Sequence, residues 1–255
     1  MEVEGTQLFL DLHRPAVDAP VPCVVYFHGG GWARGSRKDN VDARLLPVAA
    51  HGVAIASVSY RLVDVAVHPA QLYDGRAAVR WLRAHGAEHG LLTDRIGAWG
   101  VSAGGWLALM LGLTGPEPES AVQAAAAWFP TTDLTTVAAE RDAANLPRPA
   151  FLQGRQVPAM EAALLGVTAV TDDPDTAWAA SPLAHAAHAH GPVLLIHGDE
   201  DGLVNAQQSY ALHDALTEAG HDSQMMLLVG ANHEDPAFHK PAVLGATAGF
   251  FSAQL

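Results

Sequence analysis

Cysteine is nearly absent: Cys23 is the one thiol in 255 residues. That excludes an intramolecular disulfide and a thiolate metal site. Cys23 lies in the apolar run 22–27, where it reads as a small buried hydrophobe of a strand. Positive charge is scarce too, with 14 Lys and Arg against 27 Asp and Glu and a formal net charge of −13. Such a surface repels phosphate backbones, so nucleic acid is an unfavourable partner, and anionic membranes gain no attraction from it. No apolar run is long enough to span a bilayer. The first residues, Met1-Glu2-Val3-Glu4, are acidic and do not read as a secretory leader. The cytoplasm is the simplest expected location. Internal repeats and low-complexity linkers are missing as well.

Hydrophobic residues are plentiful at 49%, and the length is ample for one sizeable core. Short apolar runs predict strands over 8–12, 23–28, 53–60, 95–100, 121–129, 192–197 and 224–229. Several are apolar nearly throughout, as strands covered on both faces are. Helical patterns lie between them, over 70–85, 106–113, 204–219 and 238–253. This alternation predicts an α/β class with a mostly parallel sheet flanked by helices. The stretch 130–191 is far longer than a crossover needs. It reads as a small lid-like insertion in a single domain, 1–255.

One turn stands out for chemistry. Gly100-Val101-Ser102-Ala103-Gly104 joins an apolar strand to an apolar helix. Strand, sharp turn and helix make a nucleophile elbow, with small flanking residues where no Cβ fits. The Ser102 hydroxyl is then exposed, beside the amide of Ala103. Upstream, His28-Gly29-Gly30-Gly31-Trp32 follows a strand. Amides of Gly30 and Gly31, with that of Ala103, can converge on a developing oxyanion. A phosphate cradle would need a following Lys-Ser or Lys-Thr, and none is there.

A serine needs a base. Of 14 histidines, His233 stands in the loop Gly230-Ala231-Asn232-His233 after a late strand. His197 is its rival, though its place at a strand end suits support of the following turn. His185, His188 and His190 read as surface residues. The acid belongs between serine and histidine, in His197-Gly198-Asp199-Glu200-Asp201-Gly202. Asp201 is favoured and Asp199 is the alternative. Trp32, Trp106, Phe129 and Trp178 are candidates for lining a substrate pocket, although aromatic residues more often fill core.

Together these segments resemble the α/β-hydrolase superfamily, and within it the feruloyl-esterase-like and acetyl-esterase-like enzymes near the hormone-sensitive lipase family. The likeness extends to Ser59-Tyr60-Arg61-Leu62, to 69–74 and to 78–82. Val101 before the serine, and Val63-Asp64 after Leu62, favour the feruloyl- or acetyl-esterase branch. Trp106 departs from that branch, which often has histidine there. The resemblance implies an α/β-hydrolase fold and a Ser102, Asp201, His233 triad. It implies acyl transfer from a small carboxylic ester, of short-chain or aryl type, with no metal or cofactor. An arylformamidase or peptidase on the same triad, or a non-catalytic small-molecule binder, are the alternatives. A homodimer is left open.

Overall fold

The computed structural model describes residues 1–114, 117–153 and 159–255. Two short strands, β1 (Glu2–Val3) and β2 (Thr6–Gln7), form a hairpin that the sequence did not announce. The main sheet has seven strands, β3 (Leu10–His13), β4 (Val21–Phe27), β5 (Ala54–Val58), β6 (Leu91–Val101), β7 (Ala125–Trp128), β8 (Val193–Gly198) and β9 (Ser223–Leu228). Their order across the sheet is β3-β5-β4-β6-β7-β8-β9. β3 pairs antiparallel with β5, and every other pairing is parallel.

Eight α-helices complete the described residues: α1 (Leu46–Ala49), α2 (Ala70–His85), α3 (Ala103–Leu113), α4 (Val137–Ala144), α5 (Met160–Leu165), α6 (Pro174–Ala179), α7 (Gln207–Glu218) and α8 (Pro241–Gln254). No helix among them is long and apolar enough to cross a membrane. The period-two alternation of a strand decides which face each residue serves. Cys23, Val25 and Phe27 of β4 meet Leu72, Val79 and Trp106 of α2 and α3 on one face. Val24 and Tyr26 meet Val48, Val243 and Phe251 of α1 and α8 on the other. Both faces are thus dry, which is why β4 is apolar almost throughout.

Several element edges differ from the sequence reading, each for a local reason. β7 stops at Trp128 because Phe129 turns left-handed, at φ 40°. α7 starts at Gln207 rather than at 204, since the amides of Leu203 and Val204 bond the Asp201 carboxylate instead of a helix. Phe238 belongs to a separate 3-10 turn, Pro236–His239, and Pro241 opens α8. Between 130 and 191 lie α4, α5, α6 and short 3-10 turns. Residues 154–158 of that stretch lie outside the described residues.

Candidate active site

The carboxyl ends of the parallel strands β4, β6, β8 and β9 lead into the loops that carry the chemistry-bearing residues, as expected of an open α/β sheet. β6 runs straight into α3 through Ser102, which adopts φ 53° and ψ −123°. That conformation is strained for a residue with a Cβ. It is held because the Ser102 amide donates to Trp128 O (2.9 Å) while its carbonyl accepts from the Trp106 amide (3.0 Å). The turn also needs bare backbone. A Cβ on Gly104 would collide with the carbonyl oxygens of Phe27 and His28.

His233 Nε2 stands 3.0 Å from Ser102 Oγ, and His233 Nδ1 stands 2.7 Å from Asp201 Oδ2. With Asp201 ionised, Nδ1 carries the proton and donates to it, which leaves Nε2 free to accept from the serine hydroxyl. The imidazole is buried and rests edge-on against Phe129, ring centres 4.6 Å apart. Asp201 is held just as firmly. Its Oδ1 accepts from the amides of Leu203 and Val204, both at 2.9 Å. Burial opposes its charge, but the neighbouring His233 imidazole and hydrogen bonding from His197 and His233 outweigh that. Its carboxyl is held well below the usual carboxylate range.

The other acid and the other histidine take supporting places. Asp199 does not reach His233. Its Oδ1 accepts from the Gly230 amide at 2.6 Å and so ties down the histidine-bearing loop. His197 is fully buried behind the acid. Its Nε2 donates to Val204 O (2.9 Å) and also faces Asp201 Oδ2 at 3.4 Å, and its Nδ1 accepts from the Ser209 hydroxyl (2.7 Å).

Beside the serine lies a cavity of about 520 Å³. Gly30 and Gly31 line it, with φ of 116° and 61°. Among the described residues, their amides donate to no other protein group. Leu152, Met160 and Leu203 form an apolar wall, with the Met160 sulfur packed against Gly31. Tyr26, Arg44 and Glu234 line a polar part.

The tryptophan expectation needs correction. Trp32 and Trp106 are buried and packed on each other at 90°, ring centres 5.6 Å apart, and neither lines the cavity. The Trp106 indole donates to Ala180 O (2.7 Å), so it braces the end of α6. Trp178 is exposed and also lies outside the cavity wall. The lining residues Leu152, Met160, Arg44 and Glu234 were not foreseen. They are scattered through short helical turns and loops, and no spacing marks them. Glu234 alone had a signal, its place next to His233.

Among known proteins, the chain is 33% identical over 211 residues to carboxylesterase NlhH of Mycobacterium tuberculosis, matching 81% of this chain and 60% of that protein. It therefore spans about three-fifths of that relative's length. A truncated carbohydrate esterase from gut microbiota superposes over 96% of this chain and 90% of its own, with a TM-score of 0.82 and 24% identity. The native form of esterase Est2 of Thermogutta terrifontis covers 97% and 88%, with a TM-score of 0.72 and 25% identity. The model of the family described as BD-FAE matches residues 10–216, which is most of the chain. The chain belongs to the BD-FAE family and has the α/β-hydrolase fold of these esterases.

Proposed function

We propose that this protein is a serine esterase that hydrolyses small carboxylic esters through an acyl-enzyme on Ser102. One observation carries the reading: an unbroken contact path from Asp201 through His233 to Ser102 at the wall of a cavity. The NlhH relative, named a carboxylesterase, supports the same reaction class.

The steps follow from the atoms present. His233 Nε2 takes the Ser102 proton as Oγ attacks the ester carbonyl. Asp201 steadies the imidazolium that forms. The amides of Gly30, Gly31 and Ala103 stabilise the tetrahedral oxyanion, and losing one such donor costs about 3 kcal/mol of barrier. His233 then protonates the departing alcohol, and water repeats the cycle to free the acid. This sequence calls for no metal or cofactor. The wall of Leu152, Met160 and Leu203 close to the serine suits short acyl groups. The substrate is a small molecule, with neither nucleic acid nor membrane as a partner, and the cytoplasm is the working compartment. Each triad residue comes from one chain, so a homodimer would repeat the site without completing it.

The test is turnover of p-nitrophenyl acetate by Ser102→Ala and His233→Ala. Each should lose about 10⁶-fold in kcat, the scale for a triad acting as a unit, with circular dichroism unchanged. Parental turnover by Ser102→Ala overturns the proposal.

A further inference from the structure

His233 sits in a loop that the sheet does not hold. The loop leaves β9 at Val229, which is 87% exposed. Gly230 and Glu234 both adopt left-handed backbone, at φ 75° and 58°. Glutamate has no intrinsic preference for that region, so something must fix it there. On one side the loop is tied to the acid turn and to Pro147. Asn232 Oδ1 accepts from the Gly202 amide (3.1 Å), and its Nδ2 donates to Pro147 O (2.6 Å). On the other side, Glu234 meets Arg44.

Arg44 lies in a π-helical turn, Val41–Leu45, that runs into α1. Its guanidinium is almost completely buried. Nη2 donates to both carboxylate oxygens of Glu234, at 2.8 and 3.1 Å, and stands 3.0 Å from His239 Nε2. Nη1 donates to the Tyr26 hydroxyl at 3.0 Å. The plane also lies over the Trp128 ring, 5.2 Å from its centre. Tyr26 is in β4, two residues before His28-Gly29-Gly30-Gly31. A single rigid fork therefore touches the residue after the base and the strand that delivers the glycine amides. Arginine suits this because its donors are fixed relative to one another, which a lysine ammonium cannot reproduce.

We propose that the Arg44–Glu234 ion pair is a clamp that sets the spacing between His233 and the amides of Gly30 and Gly31. Both are positioning residues. The clamp rests on the reading of Ser102 as an esterase nucleophile. It acts on a reaction that needs imidazole, hydroxyl and amides in register at once, where a displacement of about 1 Å can cost 10²-fold in rate.

Glu234→Gln, Arg44→Lys and the double variant test it, with kcat and KM for p-nitrophenyl acetate read separately and thermal melting as the fold control. Glu234→Gln keeps the shape and loses the charge. It should lower kcat about tenfold with KM within about twofold. Arg44→Lys should do the same. The double variant should be no slower than the worse single, because both break one contact. Parental kcat in folded Glu234→Gln overturns the clamp. So does a loss confined to KM, or losses that multiply in the double variant. Should Arg44→Lys not fold, Glu234→Gln decides alone, since its carboxylate is partly exposed. Ser102→Ala separates the two claims. If that variant stays active, the esterase reading fails. If Ser102 is essential and Glu234→Gln is unaffected, only the clamp fails.

Discussion

Replacing Asp201 by asparagine changes one atom, and the hydrogen bonds around that atom dictate how the triad responds. Oδ1 of Asp201 accepts from two backbone amides, those of Leu203 and Val204. An asparagine NH2 cannot stand there, because two donors would face a donor. The amide oxygen must take the Oδ1 place, and the NH2 must take the Oδ2 place, 2.7 Å from His233 Nδ1. Facing that donor, Nδ1 can only accept, so the ring proton moves to Nε2. Nε2 then donates toward Ser102 Oγ, 3.0 Å away, and no longer takes its proton. Geometry survives while the base is lost. The expected fall in kcat is about 10⁴-fold at neutral pH, the cost of a triad locked in the wrong tautomer. That corresponds to about 5.5 kcal/mol of barrier. The assay is initial-rate hydrolysis of p-nitrophenyl acetate beside Asp199→Asn. Asn at 199 can still accept from the Gly230 amide, so that variant should stay within about tenfold of the parent. A larger loss at 199 than at 201, or a fall below tenfold at 201, refutes the argument.

The cavity and the buried charges give further expectations. Met160→Ala removes the sulfur packed against Gly31, so kcat/KM should move toward longer acyl chains in a p-nitrophenyl ester series from acetate to octanoate. An unchanged chain-length profile would mean that Met160 does not bound the acyl site. His68 is pushed down from 6.5 to about 4 by burial, with the nearby His185 adding to it. Its folded form resists protonation while the unfolded form accepts it, so stability falls as pH drops from 6.5 toward 4. His68→Gln should flatten that fall in urea midpoints, and an equally steep fall would contradict it. Asp201 acts in the same direction at lower pH. Its depressed carboxyl contributes stability that is full above the ordinary value of 3.8 and is lost as pH falls below it, so Asp201→Asn should lose stability less steeply there. Urea midpoints with parental steepness below pH 3.8 would count against that coupling.

Much of this architecture was readable in the chain, and the misses have physical causes. The sheet was visible because β4 and β8 are buried on both faces and so are apolar almost end to end. Ser102 and His233 could be named from local punctuation, glycines where a turn admits no Cβ and a histidine just past a strand. Asp201 was favoured over Asp199 with no spacing to separate them, since both stand in the same turn, and family likeness supported that choice. What separates them is which carboxylate points inward to the imidazole, a tertiary fact. The tryptophans failed for a similar reason. Trp32 and Trp106 stand next to the glycine loop and the elbow in sequence, yet their indoles turn into the core below. Arg44 and Glu234 are 190 positions apart, so their pairing exists only once the turn ahead of α1 and the histidine loop are brought together. Element edges shifted for local reasons that no spacing announces: a left-handed Phe129 after β7, Pro241 at α8, and amides captured by Asp201 ahead of α7.

The most direct measurement traps the nucleophile as a stable covalent adduct. Incubation with a fluorophosphonate, followed by peptide mapping in a mass spectrometer, should find one phosphonyl group per chain, carried by Ser102, and should find none in His233→Ala over the same interval. Label on another residue, or unaltered labelling of Ser102 without the imidazole, would contradict the account.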